Sequence, residues 1–237
     1  AGVLGLRRPE RRRLGPLCGS GKTASAALYE DGIMLGQTSV YTSKTHSQVI
    51  LPMVKKIMSD CGRELSQLTD ISVSSGPGSY TGIRIGIAAV KAMSFALDIP
   101  CYAVSSLEGL AYNCGFIGYI CPVMKARKDL VYTALYRTDK DKLVRCTDEK
   151  IISMTELDGI LSEINESVMI TGDGAEVFCD EFKNAKYVLS PVHLRLQSGS
   201  GICIAALHHT PQTADEIEAS YLQLVKAEKD LIKSGHC

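Results

Sequence analysis

The residues best placed to do chemistry form a glycine-rich loop, Gly76-Pro77-Gly78-Ser79-Tyr80-Thr81-Gly82. The loop follows an apolar run at 71–73 and precedes residues 83–97, whose apolar positions recur at helical spacing. Ser79 or Thr81 can cap that helix, and free N–H groups at a helix start can hold an anion. The pattern therefore predicts either an anion-binding loop or a tight β–α connection without a ligand.

A second glycine cluster, Gly19-Ser20-Gly21-Lys22-Thr23, resembles part of a phosphate-binding P-loop. The full pattern needs a glycine five positions before Gly21, where this chain has Pro16. A P-loop also opens a helix, whereas residues 23–30 and 33–41 read as a hairpin around Asp31-Gly32. The sequence therefore predicts no P-loop.

The histidine and cysteine patterns do not predict a metal centre. The histidines are His46, His193, His208, His209 and His236. No two of them are four residues apart, as a helix-borne metal pair would require. The nine cysteines include no C-x-x-C pair, which favours free thiols in a reducing cytosol.

Two further polar residues have alternative interpretations. Asp173 stands between two glycines and has the right type to bind a metal or a ribose, although capping the next helix is the simpler role. His46 near the start of a predicted helix is interpreted as a cap or a partner contact rather than a catalyst.

Composition limits the function classes. The chain has 237 residues, 26 Lys and Arg, and 26 Asp and Glu, so its formal net charge is zero. No global basic field favours nucleic acid, and no apolar run approaches the roughly 20 residues that span a bilayer. A cytoplasmic protein is expected.

The element order predicts an α/β protein with two similar lobes. Residues 1–18 form an atypical basic tail that is expected to be disordered, 19–104 an N-terminal lobe, 105–213 a C-terminal lobe and 214–237 a closing segment. The second lobe is expected to contain strands at 119–124, 130–137 and 143–152. This order fits the duplicated, ribonuclease H-like fold of actin, hexokinase and heat-shock chaperone ATPases.

Several segments together resemble the TsaB (YeaZ) family. They are the glycine-rich loop continuing through Ile83-Arg84-Ile85-Gly86, Lys44-Thr45-His46-Ser47-Gln48, Ser105-Ser106-Leu107-Glu108, Ala126-Arg127 with Val131-Tyr132, and Tyr221-Leu222 with Ala227-Glu228. The resemblance extends from about Gly21 to about Leu231.

The resemblance implies a role in making threonylcarbamoyladenosine beside the anticodon of certain tRNAs. Such a subunit has no established catalysis of its own and activates a TsaD-type catalytic subunit, with a TsaE-type ATPase in the complex. ATP and a metal are expected in the partners, with no cofactor in this chain. Contact with tRNA is expected to be indirect, and a homodimer is an alternative to the heterodimer.

The resemblance also implies that the two predicted helices, 45–61 and 82–97, meet the partner. The interface residues expected there are His46, Ile50, Met53, Val54, Ile57, Arg84, Ala88, Ala89 and Ala92. The apolar members are expected to divide between core and interface, while the alanines allow another helix to approach closely.

Three positions depart from the family pattern. Family chains begin with a central strand ending Asp-Thr-Ser, where this chain has Cys18-Gly19-Ser20 preceded by Pro16. Because proline removes a ladder hydrogen bond, the first strand is expected to be missing or poorly formed. Lys125 and Leu130 stand where the family commonly has acidic residues, and Gln223 replaces an arginine.

Two alternative functions are an ATP-dependent kinase or transferase of the same superfamily and a peptidase. The kinase needs a carboxylate in the first-strand loop, which this chain lacks at Cys18-Gly19-Ser20. A serine peptidase with Ser79 as its nucleophile would need a general base beside it, and the spacing of the residues in the sequence assigns no such base.

Overall fold

The computed structural model describes residues 13–20, 23–41, 46–139 and 142–222. Within these residues the strands are β1 (Arg13–Ser20), β2 (Thr23–Glu30), β3 (Ile33–Tyr41), β4 (Asp70–Gly76), β5 (Cys101–Ser105), β6 (Tyr119–Lys125), β7 (Leu130–Thr133), β8 (Tyr136–Asp139), β9 (Lys142–Arg145), β10 (Lys150–Ser153), β11 (Val168–Thr171) and β12 (Tyr187–Leu189). The helices are α1 (His46–Asp60), α2 (Tyr80–Leu97), α3 (Ser106–Cys114), α4 (Met154–Ser162), α5 (Ala175–Phe182) and α6 (Gly199–Ala206).

The first sheet has the strand order β3-β2-β1-β4-β5. Strands β1 to β3 are antiparallel, and β4 runs parallel to both β1 and β5. In β2, Ala26 and Leu28 face one cluster of buried side chains, while Ala27 between them faces another. Both faces of the sheet are therefore covered, as expected for a central strand.

The prediction of a missing or poorly formed first strand is wrong. β1 lies in the middle of the first sheet, between β2 and β4. Its register with β2 runs from Arg13 opposite Glu30 to Leu14 opposite Tyr29, and resumes at Leu17 opposite Ala26. The pairing is interrupted around Pro16, which has no N–H to donate, and parallel pairing with β4 continues through that position.

The hairpin predicted after Thr23 is confirmed. Asp31 and Gly32 both have positive φ, at 49° and 91°, as the tight turns of two-residue hairpins require. A strand rather than a helix begins at Thr23, so the P-loop interpretation has no support. Residues 21–22 and residues 1–12 of the predicted basic tail lie outside the described residues.

The second sheet has the order β10-β7-β6-β11-β12, with β8 also paired to β6 and β9 paired to β8. The predicted single strand at 130–137 is wrong, because β7 ends at Thr133 and β8 begins at Tyr136. At the break, the Thr147 hydroxyl accepts a hydrogen bond from the Leu135 N–H at 2.9 Å. The single strand predicted at 143–152 is also wrong, because the structure has two strands there, β9 and β10.

Helices α3 and α6 join the two lobes. Leu107, Leu110 and Ala111 of α3 pack with Ile120 of the second sheet, among other residues. Helix α6 packs instead on the first sheet, where Ile202 and neighbouring residues contact buried residues of β2 and β5. The two helices meet at Gly109 and Gly201, and a Cβ on Gly201 would overlap the carbonyl oxygen of Gly109.

The chain after α6 returns to the first lobe. Gln212 exchanges two backbone hydrogen bonds with Cys101, at 2.8 and 2.9 Å, and so covers the outer strand β5. Further along, the Ser220 N–H donates to the carbonyl of Ser75 at 2.8 Å. Residue 220 of this segment therefore lies beside the start of the glycine-rich loop.

Candidate functional site

The glycine-rich loop connects β4 to α2 in a fixed conformation. Gly76 has φ +121°, and a Cβ there would overlap the carbonyl oxygen of Ser220. The Ser79 hydroxyl accepts a hydrogen bond from the Gly82 N–H at 3.3 Å, so Ser79 caps α2 as predicted. Of the two alternatives predicted for this loop, the geometry agrees with a tight β–α connection. Gly78 and Ser79 also line a cleft between the lobes.

An aromatic cluster lies beside the loop. The rings of Tyr80 and Tyr221 are 4.9 Å apart, and Arg84 lies over the Tyr80 ring at 5.2 Å. Arg84 also donates a hydrogen bond to the Tyr80 hydroxyl at 2.5 Å. Partial burial raises the pKa of Tyr221, and the nearby Tyr80 adds to the rise. Arg84 thus orients the loop through Tyr80.

One face of α2 is exposed over several turns. Arg84, Ala88 and Ala92 follow each other at four-residue spacing and are all exposed, so they form one stripe. Phe95 continues the stripe three residues later and is 86 % exposed. Sequence reasoning missed Phe95, although its spacing from Ala92 was a usable signal. We call these four residues the α2 stripe.

The other expected interface residues lie elsewhere. Ile50, Met53, Val54 and Ile57 are 2 to 8 % exposed and pack in the core of the first lobe. These four side chains pack α1 against the first sheet, so a partner that contacts α1 would have to contact other residues of the helix. Ala89 is half-buried against the same core. The side chain of His46 lies outside the described residues.

A cleft of about 720 Å³ separates the two lobes. The first lobe contributes Thr23, Tyr41 and the loop residues Gly78 and Ser79. The second lobe contributes the end of β6, the β6–β7 turn, residues 172–176 and residues 192–197. The cleft thus collects chain segments that are far apart in sequence.

Three cations and two carboxylates line the cleft. Arg195 donates to the Ser190 carbonyl at 2.7 Å and forms an ion pair with Glu176 at 3.3 Å. Arg127 has no hydrogen-bond or ion-pair partner for its guanidinium within the described residues. The third cation is Lys125, whose charge opposes part of the rise that burial causes in the pKa of Asp173. The lining therefore carries one net positive charge.

Asp173 does not cap α5, so that prediction is wrong. The N-cap position is Gly174, and no side chain caps it. The Asp173 carboxylate instead accepts a hydrogen bond from the Lys125 N–H at 2.8 Å. Burial raises the pKa of Asp173, and this hydrogen bond opposes the rise.

The part of the chain that the structure describes contains neither a metal-binding cluster nor a membrane-spanning helix. No group of three or more His, Cys, Asp or Glu side chains is arranged to hold a metal ion in these residues. Among the same residues, every helix is too short or too polar to cross a bilayer.

The two sheets, their helices and the cleft between them define a two-lobed α/β protein. The family model described as TsaD, tRNA N6-adenosine threonylcarbamoyltransferase, matches residues 39–235. The chain belongs to this family and, within it, to the TsaB (YeaZ) group.

Individual relatives agree with this assignment. The tRNA threonylcarbamoyladenosine biosynthesis protein TsaB of Bacillus subtilis (strain 168) is 36% identical over 154 residues, 65% of this chain and 67% of the relative. TsaB of Escherichia coli (strain K12) is 26% identical over 172 residues, 71% and 74% of the two chains. A solved structure of YeaZ from Pseudomonas aeruginosa superposes with a TM-score of 0.78 at 24% identity, over 89% of this chain and 100% of that one.

Proposed function

We propose that this chain is a non-catalytic, activating subunit of the machinery that makes threonylcarbamoyladenosine in tRNA. It binds a TsaD-type catalytic subunit, and a TsaE-type ATPase joins the complex. ATP and the catalytic metal belong to those partners, and the chain acts in the cytoplasm with only indirect contact to tRNA. Family membership supports the pathway, and the exposed α2 stripe supports the mode of binding.

The α2 stripe carries the proposal. Phe95 is 86 % exposed, and covering a phenylalanine side chain contributes roughly 1.5–3 kcal/mol. The exposed alanines beside it, Ala88 and Ala92, leave room for a second helix at the usual 8–10 Å between axes. An aromatic anchor surrounded by small residues is the arrangement expected at the centre of an interface.

The stripe also has a charged end. Arg84 is exposed at the first turn of α2, with its guanidinium against Tyr80. In a complex its guanidinium can donate hydrogen bonds to a partner carboxylate while the contact with Tyr80 holds it in place. Arg84 would therefore orient the partner, and Phe95 would contribute binding affinity.

The sequence also favours a non-catalytic role. No two of the five histidines are four residues apart, so the chain has no helix-borne pair of imidazoles for a metal. The metal chemistry is accordingly assigned to the TsaD-type partner.

The test is titration of the purified chain into its cognate TsaD-type subunit, with tRNA modification as the second readout. Phe95→Ala should weaken binding by about tenfold or more, and Ala88→Arg should abolish it. Ile117→Ala and Ala185→Arg are matched controls, because both residues are exposed and lie in the second lobe. The controls should change the dissociation constant by less than about threefold.

Two results would contradict the proposal. One is the absence of a complex with the wild-type chain, and the other is tRNA modification that proceeds equally well without it. Sedimentation of the chain alone tests the homodimer. If Phe95→Ala also weakens self-association, the same stripe serves both the homodimer and the heterodimer.

A further inference from the structure

We propose that strand β3, the open edge of the first sheet, pairs with β3 of a second copy of this chain and so forms a symmetric dimer. The contact joins the two five-stranded sheets edge to edge. β3 is the first strand in the order β3-β2-β1-β4-β5, whereas the α2 stripe belongs to the helix that follows β4. The inference therefore concerns a surface that the proposed function does not use.

One side of β3 has no partner strand among the described residues. Its other side pairs with β2 along the strand, from Ile33 opposite Glu30 to Tyr41 opposite Thr23. An edge strand presents a row of N–H and C=O groups with which another strand can pair. The side chains agree with an open edge, because Ile33, Val40 and Tyr41 are 62, 41 and 65 % exposed. β3 is thus available to a further strand.

The second half of β3 is its regular part. A bulge interrupts the first half, where Leu35 has no partner in β2 although the residues on both sides of it do. From Gly36 to Tyr41 every residue has its own partner in β2. Because bulges distort an edge and hinder further pairing, the segment from Gly36 to Tyr41 is the part of β3 that a second strand can follow.

The other outer strands of the two sheets are protected. Strand β5 is covered by Gln212. In the second sheet β12 has only three residues, β10 begins with Lys150, and β9 carries Lys142 and Arg145. Short strands and charged side chains, lysine above all, are the usual protection against pairing with another chain. β3 has nine residues and none of them is charged, so it lacks this protection.

The symmetry of a dimer limits how β3 can pair with itself. Directly opposite residues of an antiparallel pair point to the same face, and successive residues alternate between faces. The two-fold axis must therefore pass through a residue, and Thr38 and Ser39 are the central residues of the regular segment. With the axis at Ser39, Thr38 lies opposite Val40, and Gln37 lies opposite Tyr41. With the axis at Thr38, Gln37 lies opposite Ser39.

Both registers of this pairing are free of charge conflicts, because the strand has no charged residue. Pairs of β-branched, aromatic and hydroxyl side chains of this kind stabilise antiparallel sheets. Each chain offers one unprotected edge among its described residues, so a contact between two copies closes on itself and leaves no such edge for a third. A second copy of the chain is therefore the occupant that this edge fits.

Sedimentation velocity of the full chain measures the dimer. One pair of short strands is a small interface, so we expect a dissociation constant on the order of 1–100 µM. Ser39→Lys should weaken self-association by at least about tenfold, because the two lysines are opposite or diagonal neighbours in the two registers. The buffer contains a reducing agent, because Cys146 is exposed.

Val144→Lys is the matched control for added charge. Val144 is 50 % exposed and lies on β9, the outer strand that is already protected by Lys142 and Arg145. The substitution adds the same positive charge to the chain as Ser39→Lys. It should change the dissociation constant of the dimer by less than about twofold.

Ser39→Glu supplies the decisive comparison. Alone, it should weaken self-association as much as Ser39→Lys does. An equimolar mixture of the two variants places opposite charges beside each other and should restore association to at least the level of the wild type. Each variant also loses the hydrogen bond between the Ser39 and Ser25 hydroxyls, which are 2.7 Å apart. Recovery on mixing would show that this local loss is not the cause of the weakening.

Four results would overturn the proposal. They are a wild-type chain that stays monomeric up to about 100 µM, equal losses in Ser39→Lys and Val144→Lys, a mixture of Ser39→Lys and Ser39→Glu that stays monomeric, and a dimer that Phe95→Ala abolishes. Ser39→Lys should still bind the TsaD-type subunit, and Phe95→Ala should still dimerise. Failure of this proposal and failure of the proposed function are therefore seen in different variants.

Discussion

Replacing Gly76 by alanine should destabilise the protein more than the same change at another glycine of positive φ. Gly76 has φ +121°, and an added Cβ would overlap the Ser220 carbonyl oxygen and lie 3.3 Å from Ile83 Cδ1. Gly32 has φ +91° and nothing within 4 Å of the added Cβ. Gly32→Ala therefore measures the backbone cost alone, and Gly76→Ala measures the backbone cost plus the overlap.

The magnitudes follow from these two contributions. A left-handed conformation costs a residue with a Cβ about 1–2 kcal/mol, and this should be the whole effect of Gly32→Ala. Forcing extra atoms into a packed site typically costs about 1–3 kcal/mol more. Because the obstacle at Gly76 is backbone, which cannot rotate away, Gly76→Ala should lower the free energy of unfolding by about 2–5 kcal/mol in all.

Urea unfolding followed by circular dichroism measures both variants against the wild type. The Ser220 backbone must move in Gly76→Ala, so the hydrogen bond from its N–H to Ser75 should also weaken. Hydrogen exchange of the Ser220 amide should then accelerate in Gly76→Ala but not in Gly32→Ala. If the two variants lose the same free energy within about 0.5 kcal/mol, the close packing of the loop and the closing segment is refuted.

The other stability predictions concern buried polar groups. The hydrogen bond with Glu108 raises the pKa of His209 in the folded protein. The stabilisation that this hydrogen bond provides is therefore complete below about 6.5, the pKa of histidine in the unfolded chain, and is lost as the pH rises through the pKa of the folded state. His209→Gln should therefore cost on the order of 1 kcal/mol at about pH 5.5 and less at about pH 8.5 in urea unfolding, and an equal cost at both would contradict this. Ser72 is fully buried and its hydroxyl has no hydrogen-bond partner among the described residues, so Ser72→Ala should leave stability unchanged or raise it by up to about 1 kcal/mol. Ser74 shares a hydrogen bond with Ser106 at 2.5 Å, so Ser74→Ala should lower the free energy of unfolding by about 1–3 kcal/mol. If Ser72→Ala and Ser74→Ala both lowered it, the distinction between an unpaired and a hydrogen-bonded buried hydroxyl would be refuted.

Local patterns predicted much of the first lobe. Ile50, Met53, Val54 and Ile57 were expected to divide between core and interface, and the structure places all four in the core. Asp31-Gly32 indicated a tight hairpin, and Ser79 was among the expected caps of α2. In each case the residues that decide the structure are neighbours in sequence.

Features that depend on distant contacts were not predicted. β1 forms despite Pro16, because its neighbours β2 and β4 hold it on both sides. The strand break near Leu135 depends on Thr147, twelve residues away. The joining of α3 to α6 depends on Gly109 and Gly201, which periodicity alone does not relate. The cleft is lined by segments that are far apart in sequence and was not predicted for the same reason.

The glycine-rich loop lies between the cleft and the proposed partner surface on α2. Gly78 and Ser79 line the cleft, and α2, with its exposed stripe, begins at the next residue. Ser220 fixes the start of the loop through its N–H, and the Tyr80–Tyr221 contact fixes the start of the helix. Because the loop is held at both ends, the start of α2 and of its exposed stripe is fixed relative to the first sheet. Of the two alternatives predicted for the loop, the tight β–α connection agrees with its geometry, and Gly78 and Ser79 form part of the cleft wall.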